Sequence, residues 1–173
     1  MGTDTHRPMH PATRIVHASF ATEEAVYGVI LVAGMIVVAG GHGATSWSVF
    51  TTVVVTVVVF WAAHVYAGTV AHHGLEHDRV TGLGEAFRMA LRRSFGLLAS
   101  ALIPSLILLL GTTRVVDDLT AIWISLWVCV LVLAVLGFIA FSRRGASWPM
   151  RILGSLTTAA FGLAMILAKA LIH

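Results

Sequence analysis

Apolar residues fill five stretches of this chain, and short polar gaps separate them. The stretches run from about Glu24 to Gly40, Trp47 to Val70, Phe95 to Gly111, Leu119 to Phe141 and Met150 to Leu171. Crossing ~30 Å of hydrocarbon takes ~20 helical residues at 1.5 Å each, with about 17 as a working lower bound. All five meet that bound. The second is dominated by Val, a strand-like composition in water. In lipid each backbone N–H and C=O must be satisfied within the segment, so a helix is expected there too. The pattern predicts an all-α fold: a polytopic membrane bundle of five transmembrane helices.

The gaps refine this picture. Gly41-His42-Gly43-Ala44-Thr45-Ser46 is short, so the first two segments are expected to form an antiparallel helical hairpin. The gap from Ala71 to Ser94 is the longest. Within it, Gly84 to Arg93 has helical periodicity. Phe87, Ala90 and Leu91 share one face, and Arg88 and Arg92 share another. It reads as a cytoplasmic amphipathic helix running into the third segment, its arginines at anionic headgroups. Residues 1–18 hold Asp4, Arg7 and Arg14, three histidines and two prolines. They read as a flexible cytoplasmic tail, with no apolar core of a signal peptide. Residues 19–173 then form a single transmembrane bundle.

Composition agrees with the pattern. The chain is 58% hydrophobic and 11% charged, against about 25% charge in a typical soluble domain. Its net charge of +3 matters less than where the charges lie. Arg7, Arg14, Arg79, Arg88, Arg92, Arg93, Arg143, Arg144 and Arg151 fall on one side of the expected membrane. Arg114 and Lys169 fall on the other. By the positive-inside rule the N-terminus is expected in the cytoplasm and the C-terminus outside, in a cell (inner or plasma) membrane. Lys169, near the outer end, is expected to snorkel to the interface. The arginines sit in the gaps and do not alternate with exposed aromatics, so nucleic acid is not an expected partner. The lone Cys129 excludes an intrachain disulfide and reads as a packing residue.

Candidate chemistry begins with ionisable residues at membrane depth. Taking segment centres near Val32 and Val58, Glu24 lies ~12 Å, Tyr27 ~7.5 Å and His64 ~9 Å below the midplane, all toward the cytoplasm. Glu24, Tyr27 and Gly28 share a helical face, so the first two could meet His64 across a close approach at Gly28. A Glu–His pair in low dielectric can hold or pass a proton near neutral pH. It can equally neutralise itself and lock the helical hairpin. Further on, His73 and His77, and likewise His72 and Glu76, are four residues apart. On a helical extension of the second segment each pair shares a face suited to Zn²⁺ or another transition metal. Gly74 weakens such a helix. No cofactor is required by any motif. A lone histidine box does not make a membrane di-iron oxidase, and haem lacks a second axial ligand. No nucleophile–base triad or phosphate loop occurs. Pro104, which deprives the Ser100 carbonyl of its helical partner, predicts a kink in the third segment. Gly154, Thr158 and Gly162, four apart, predict a close helix–helix contact on the fifth.

Glu24-x-x-Tyr27-Gly28 at the start of the first segment, with Val58-Val59-Phe60-Trp61-Ala62-Ala63-His64-Val65-Tyr66-Ala67 closing the second, resembles a group of small multi-pass integral membrane proteins of high-GC, actinobacterial-type bacteria. The resemblance covers the first helical hairpin and implies membrane topology but no activity. The functional expectation rests on the residues: a small homo-oligomeric channel or transporter, proton- or cation-linked through Glu24, Tyr27 and His64. The alternative is an accessory or scaffold protein whose small-residue face on the fifth segment binds a partner membrane protein. Enzymatic chemistry is not expected.

Overall fold

The computed structural model describes residues 11–72, 74–76 and 79–172, with side chains described for 23–72 and 82–171. Five helices dominate: α1 (Pro11–Ala39), α2 (Ser46–His72), α3 (Leu83–Thr112), α4 (Asp118–Arg143) and α5 (Trp148–Ile172). A small antiparallel ribbon, β1 (Gly74–Glu76) with β2 (Arg79–Thr81), joins α2 to α3 and pairs Leu75 with Val80. By length and composition α2, α3, α4 and α5 can each cross a membrane.

Local chemistry sets the helix ends. Thr45 precedes α2, and its hydroxyl accepts the Ser48 N–H at 3.2 Å, satisfying one of the orphan donors of the first turn. Asp117 caps α4 in the same way, accepting the Thr120 N–H at 2.9 Å. Gly145, at φ 69°, closes α4: its own N–H reaches the Ser142 carbonyl, and that of Ala146 reaches the Phe141 carbonyl. That double bond is the Schellman arrangement, which needs a left-handed residue at this position.

The core is built by α1 to α4. Val29, Val32 and Ile36 of α1 are buried with Val49 and Val53 of α2, Leu97 and Leu108 of α3, and Ile122, Leu126 and Leu133 of α4. α1 touches all four other helices. Large apolar residues also cover the outside, among them Val59, Leu102, Leu106, Leu131 and Leu167. A soluble surface rarely carries so wide an apolar cover; hydrocarbon accommodates it. Hydroxyls on α2 are absorbed locally, Thr51 and Thr52 donating to the carbonyls of Trp47 and Ser48 at 2.8 Å each.

Several expectations change. α1 begins at Pro11 and not near Glu24, so residues 11–18, expected in the tail, are helical. Helical hydrogen bonding extends past the apolar run because nothing between Pro11 and Glu24 breaks a helix: Pro11 itself stands at the tolerated first position. Residues 1–10 lie outside the described set. The amphipathic stretch Gly84–Arg93 and the third apolar segment are a single helix, α3, unbroken through Pro104. The expected helical extension beyond α2 is absent: α2 ends at His72 and Gly74–Glu76 is a strand.

Candidate functional site

α1 and α2 run antiparallel out of the Gly40–Thr45 turn, which brings Glu24 level with His64. His64 Nε2 lies 3.7 Å from Glu24 Oε1. That is an ion-pair distance, longer than a hydrogen bond of 2.7–3.2 Å. The glutamate side chain is 15% exposed and the histidine 41%. The pair thus sits on the flank of the bundle, the carboxylate turned in and the imidazole turned half out.

An aromatic column continues from it. The Phe60 ring stacks beside His64 at 6.3 Å and meets the Tyr27 ring at 5.7 Å. Tyr27 is reached through this ring contact; it is 54% exposed, one turn along α1 from Glu24. The close approach expected between α1 and α2 at Gly28 is instead an approach to α3. A Cβ at Gly28 would run into the Ser100 hydroxyl and lie 3.1 Å from the Leu97 carbonyl. Small residues show where a helix can be approached; which neighbour comes is set by the packing of the whole bundle.

Toward the basic end of the bundle, His72 of α2 meets Arg93 of α3. The His72 Nδ1–H donates to the Gly68 carbonyl at 2.7 Å, and Nε2 accepts from Arg93 Nη1 at 3.0 Å. A guanidinium only donates, so this contact fixes the neutral tautomer with its proton on Nδ1. Arg93 is also one of the charges that act on the Glu24 carboxylate, after His64. His64, Glu24, Arg93 and His72 therefore form a polar series across α1, α2 and α3.

The metal expectation fares differently. With Glu76 in a strand and His72 in the last turn of a helix, the helical pairing of these two is not formed. His73 and His77 lie outside the described residues. Among the described residues no group of three or more His, Cys, Asp or Glu is gathered to hold a metal.

Pro104 and Ser100 face the bundle. Pro104 is buried, and its carbonyl accepts the Ser125 hydroxyl of α4 at 3.3 Å. Ser100 donates to Leu97 at 2.7 Å. Gly154, Thr158 and Gly162 lie against α4: the Thr158 hydroxyl reaches the Leu133 carbonyl at 2.8 Å, Gly154 lies under the Phe141 ring, and Gly162 meets Val130.

Lys169 does not snorkel. It is 3% exposed, its ammonium donating to the Gly40 carbonyl and lying 5.8 Å from the Trp123 ring centre. The carbonyls that end α1 lack helical partners and carry the negative pole of the helix. The indole face adds attraction for a cation. Nearby, the Ser46 N–H donates to Asp118 Oδ1 at 2.8 Å, tying the start of α2 to the start of α4. Sequence reasoning missed both contacts, because in each case one partner is a backbone atom without a residue signature.

Comparison with family models, with curated proteins and with solved structures gives no match to this chain.

Proposed function

We propose that this chain is a small membrane channel or transporter, linked to protons or cations through Glu24 and His64, with Tyr27 beside them. The observation that carries the reading is the 3.7 Å gap between a mostly buried carboxylate and a half-exposed imidazole. A structural lock gains most when it closes to hydrogen-bond distance and leaves solvent or lipid. Held apart, the pair can exchange a proton with a carrier approaching from the flank, since both side chains carry exchangeable protons. Arg93 and His72 extend the polar series toward the basic end.

In this reading α1 is a fifth crossing and the N-terminus is cytoplasmic, on the side of Arg88, Arg92, Arg143, Arg144 and Arg151. Arg88 and Arg92, both exposed, lie at anionic headgroups. The membrane is a cell membrane. The working unit is a homo-oligomer, because the pair lies at the flank and a second copy must close any pathway there. No metal enters the reading: both ring nitrogens of His72 are already bonded.

The second reading is an accessory protein without transport. It loses one support, since the Gly154–Gly162 face is occupied by α4 and is not free for a partner. What favours it is the half-exposed imidazole of His64, which a partner helix could cover.

The test is pH-gradient-driven flux in proteoliposomes, wild type beside His64→Ala and Glu24→Gln. Flux lost in both folded variants supports the pathway. Absent flux in the wild type, or flux unchanged in both variants, sinks it, and a stoichiometric co-purifying partner then favours the accessory reading.

A further inference from the structure

The turn between α4 and α5 carries charge of one sign. Arg143 ends α4, Arg144 follows it at the cap, and Arg151 stands in the first turn of α5. No Asp or Glu occurs after Asp118, which lies at the far end of α4. The turn between α3 and α4 is mixed by contrast, with Arg114 set against Asp117 and Asp118. On α3, Arg88 has Glu85 three residues before it on the same face. The α4–α5 turn is basic without such an offset.

The fold gathers these charges and sets their depth. The Arg151 side chain reaches back along α5, and its Nε donates to the Ala146 carbonyl at 2.9 Å. That contact puts its guanidinium on the same turn that bears Arg144, two residues before Ala146. A guanidinium bonded through Nε keeps its paired Nη edge for an oxyanion. The apolar run of α4 ends at Phe141, so Arg144 follows it within ~4.5 Å along the axis. Trp148, 63% exposed, meets the Phe138 ring edge-on at 5.6 Å. An exposed indole beside the last apolar turn marks the headgroup layer. Past it, Met150, Ile152 and Leu153 are exposed apolar residues of α5, suited to acyl chains. Arg151 belongs to their level and turns back from it toward the basic turn.

The chemistry selects the occupant. It must carry net negative charge, present an oxyanion at headgroup depth, and continue into an apolar part beside α5. Free phosphate lacks the apolar part. A zwitterionic lipid adds a cation next to the arginines. A phospholipid of net negative headgroup meets all three demands. We propose that the α4–α5 turn binds the headgroup of one anionic phospholipid, with Arg144 and Arg151 on its phosphate, Arg143 adding charge and Trp148 at its glycerol level. Arg88 and Arg92 lie among headgroups in general; this turn holds one lipid in place.

The proposal stands apart from transport, and its test reads lipid retention, not flux. The protein is released from nanodiscs of phosphatidylcholine and phosphatidylglycerol in equal parts, and native mass spectrometry reads the lipid it keeps. Wild type is expected to keep one phosphatidylglycerol in preference to phosphatidylcholine. Arg144→Gln and Arg151→Gln should each weaken that retention about fivefold. The double variant Arg88→Gln with Arg92→Gln should leave it unchanged. Equal retention of the two lipids by wild type overturns the proposal. So does a loss in the α3 variant as large as in the turn variants, which would make the attraction one of diffuse charge. Inorganic phosphate added to the same sample should not displace the lipid; displacement would assign the turn to the bare anion and overturn the lipid assignment. Arg151→Gln also removes the Ala146 contact, so if it does not fold, the exposed Arg144 decides: retention unchanged in Arg144→Gln overturns the proposal.

Discussion

Lys169 and Glu24 each bring a formal charge into the bundle, one toward each end, and the chain holds them by opposite means. Lys169 is 3% exposed and ends on a backbone carbonyl that closes α1, under the Trp123 ring. Glu24 meets a side chain, His64, across 3.7 Å, and that histidine is 41% exposed. The first contact joins the two chain-distant helices α1 and α5 through a fixed backbone atom. The second joins adjacent helices through two movable side chains. A backbone carbonyl has no proton to exchange, so the partner of Lys169 stays the same at every pH. A charge held by a titratable side chain can be released by one proton. The difference separates a structural charge from one suited to work.

Four expected outcomes break or sharpen that comparison. The largest is for Lys169→Ala, which strips the Gly40 carbonyl of its donor and should cost about 1–3 kcal/mol of stability. Thermal unfolding in detergent measures it, and a change near zero would place Lys169 with the movable charges. Next comes Gly28→Ala. Its Cβ would run into the Ser100 hydroxyl and press on the Leu97 backbone, an overpacking worth about 1–3 kcal/mol. Because the strain falls one turn from Glu24, flux should drop together with stability. Unchanged flux would detach the site from the α1–α3 contact.

Glu24→Gln should cost under ~1 kcal/mol, as intramembrane polar contacts usually contribute little. Its effect belongs in flux, and a large loss of thermal stability with flux intact would make the pair a lock. The smallest effect is at Asp117, whose carboxyl lies below its usual value because Thr120 hydrogen-bonds to it. A depressed carboxylate stabilises the fold above its unfolded value and loses that contribution as pH falls through the folded one. Wild type should therefore lose amide protection at Thr120 in acid, while Asp117→Asn shows little pH dependence there. Equal pH dependence in both would refute the cap as its source.

The helices were legible because a run of apolar residues long enough to cross lipid has one backbone solution. Residues 11–18 were not, since their polarity speaks against hydrocarbon but not against a helix. Glu24 and His64 could be paired by counting depth from the Gly40–Thr45 turn. The partner of Gly28 could not, because depth leaves open which neighbour a small residue admits. The ribbon after His72 follows from Gly74, whose cost in a helix outweighed the histidine periodicity. Lys169 read as a snorkelling end residue because the atom that binds it is a carbonyl.

The short turn between α1 and α2 has a consequence for biosynthesis. The chain emerges from the ribosome in order, and α1, which finally touches every other helix, is made first. Its neighbours α3, α4 and α5 do not yet exist when it leaves the exit tunnel. The partner of Glu24 comes from the very next helix, about five helical turns beyond that turn. The carboxylate therefore meets its imidazole as soon as α2 enters beside α1. With α1 as the proposed fifth crossing, inserting the two as a unit would spare the nascent chain a solitary acid in oil.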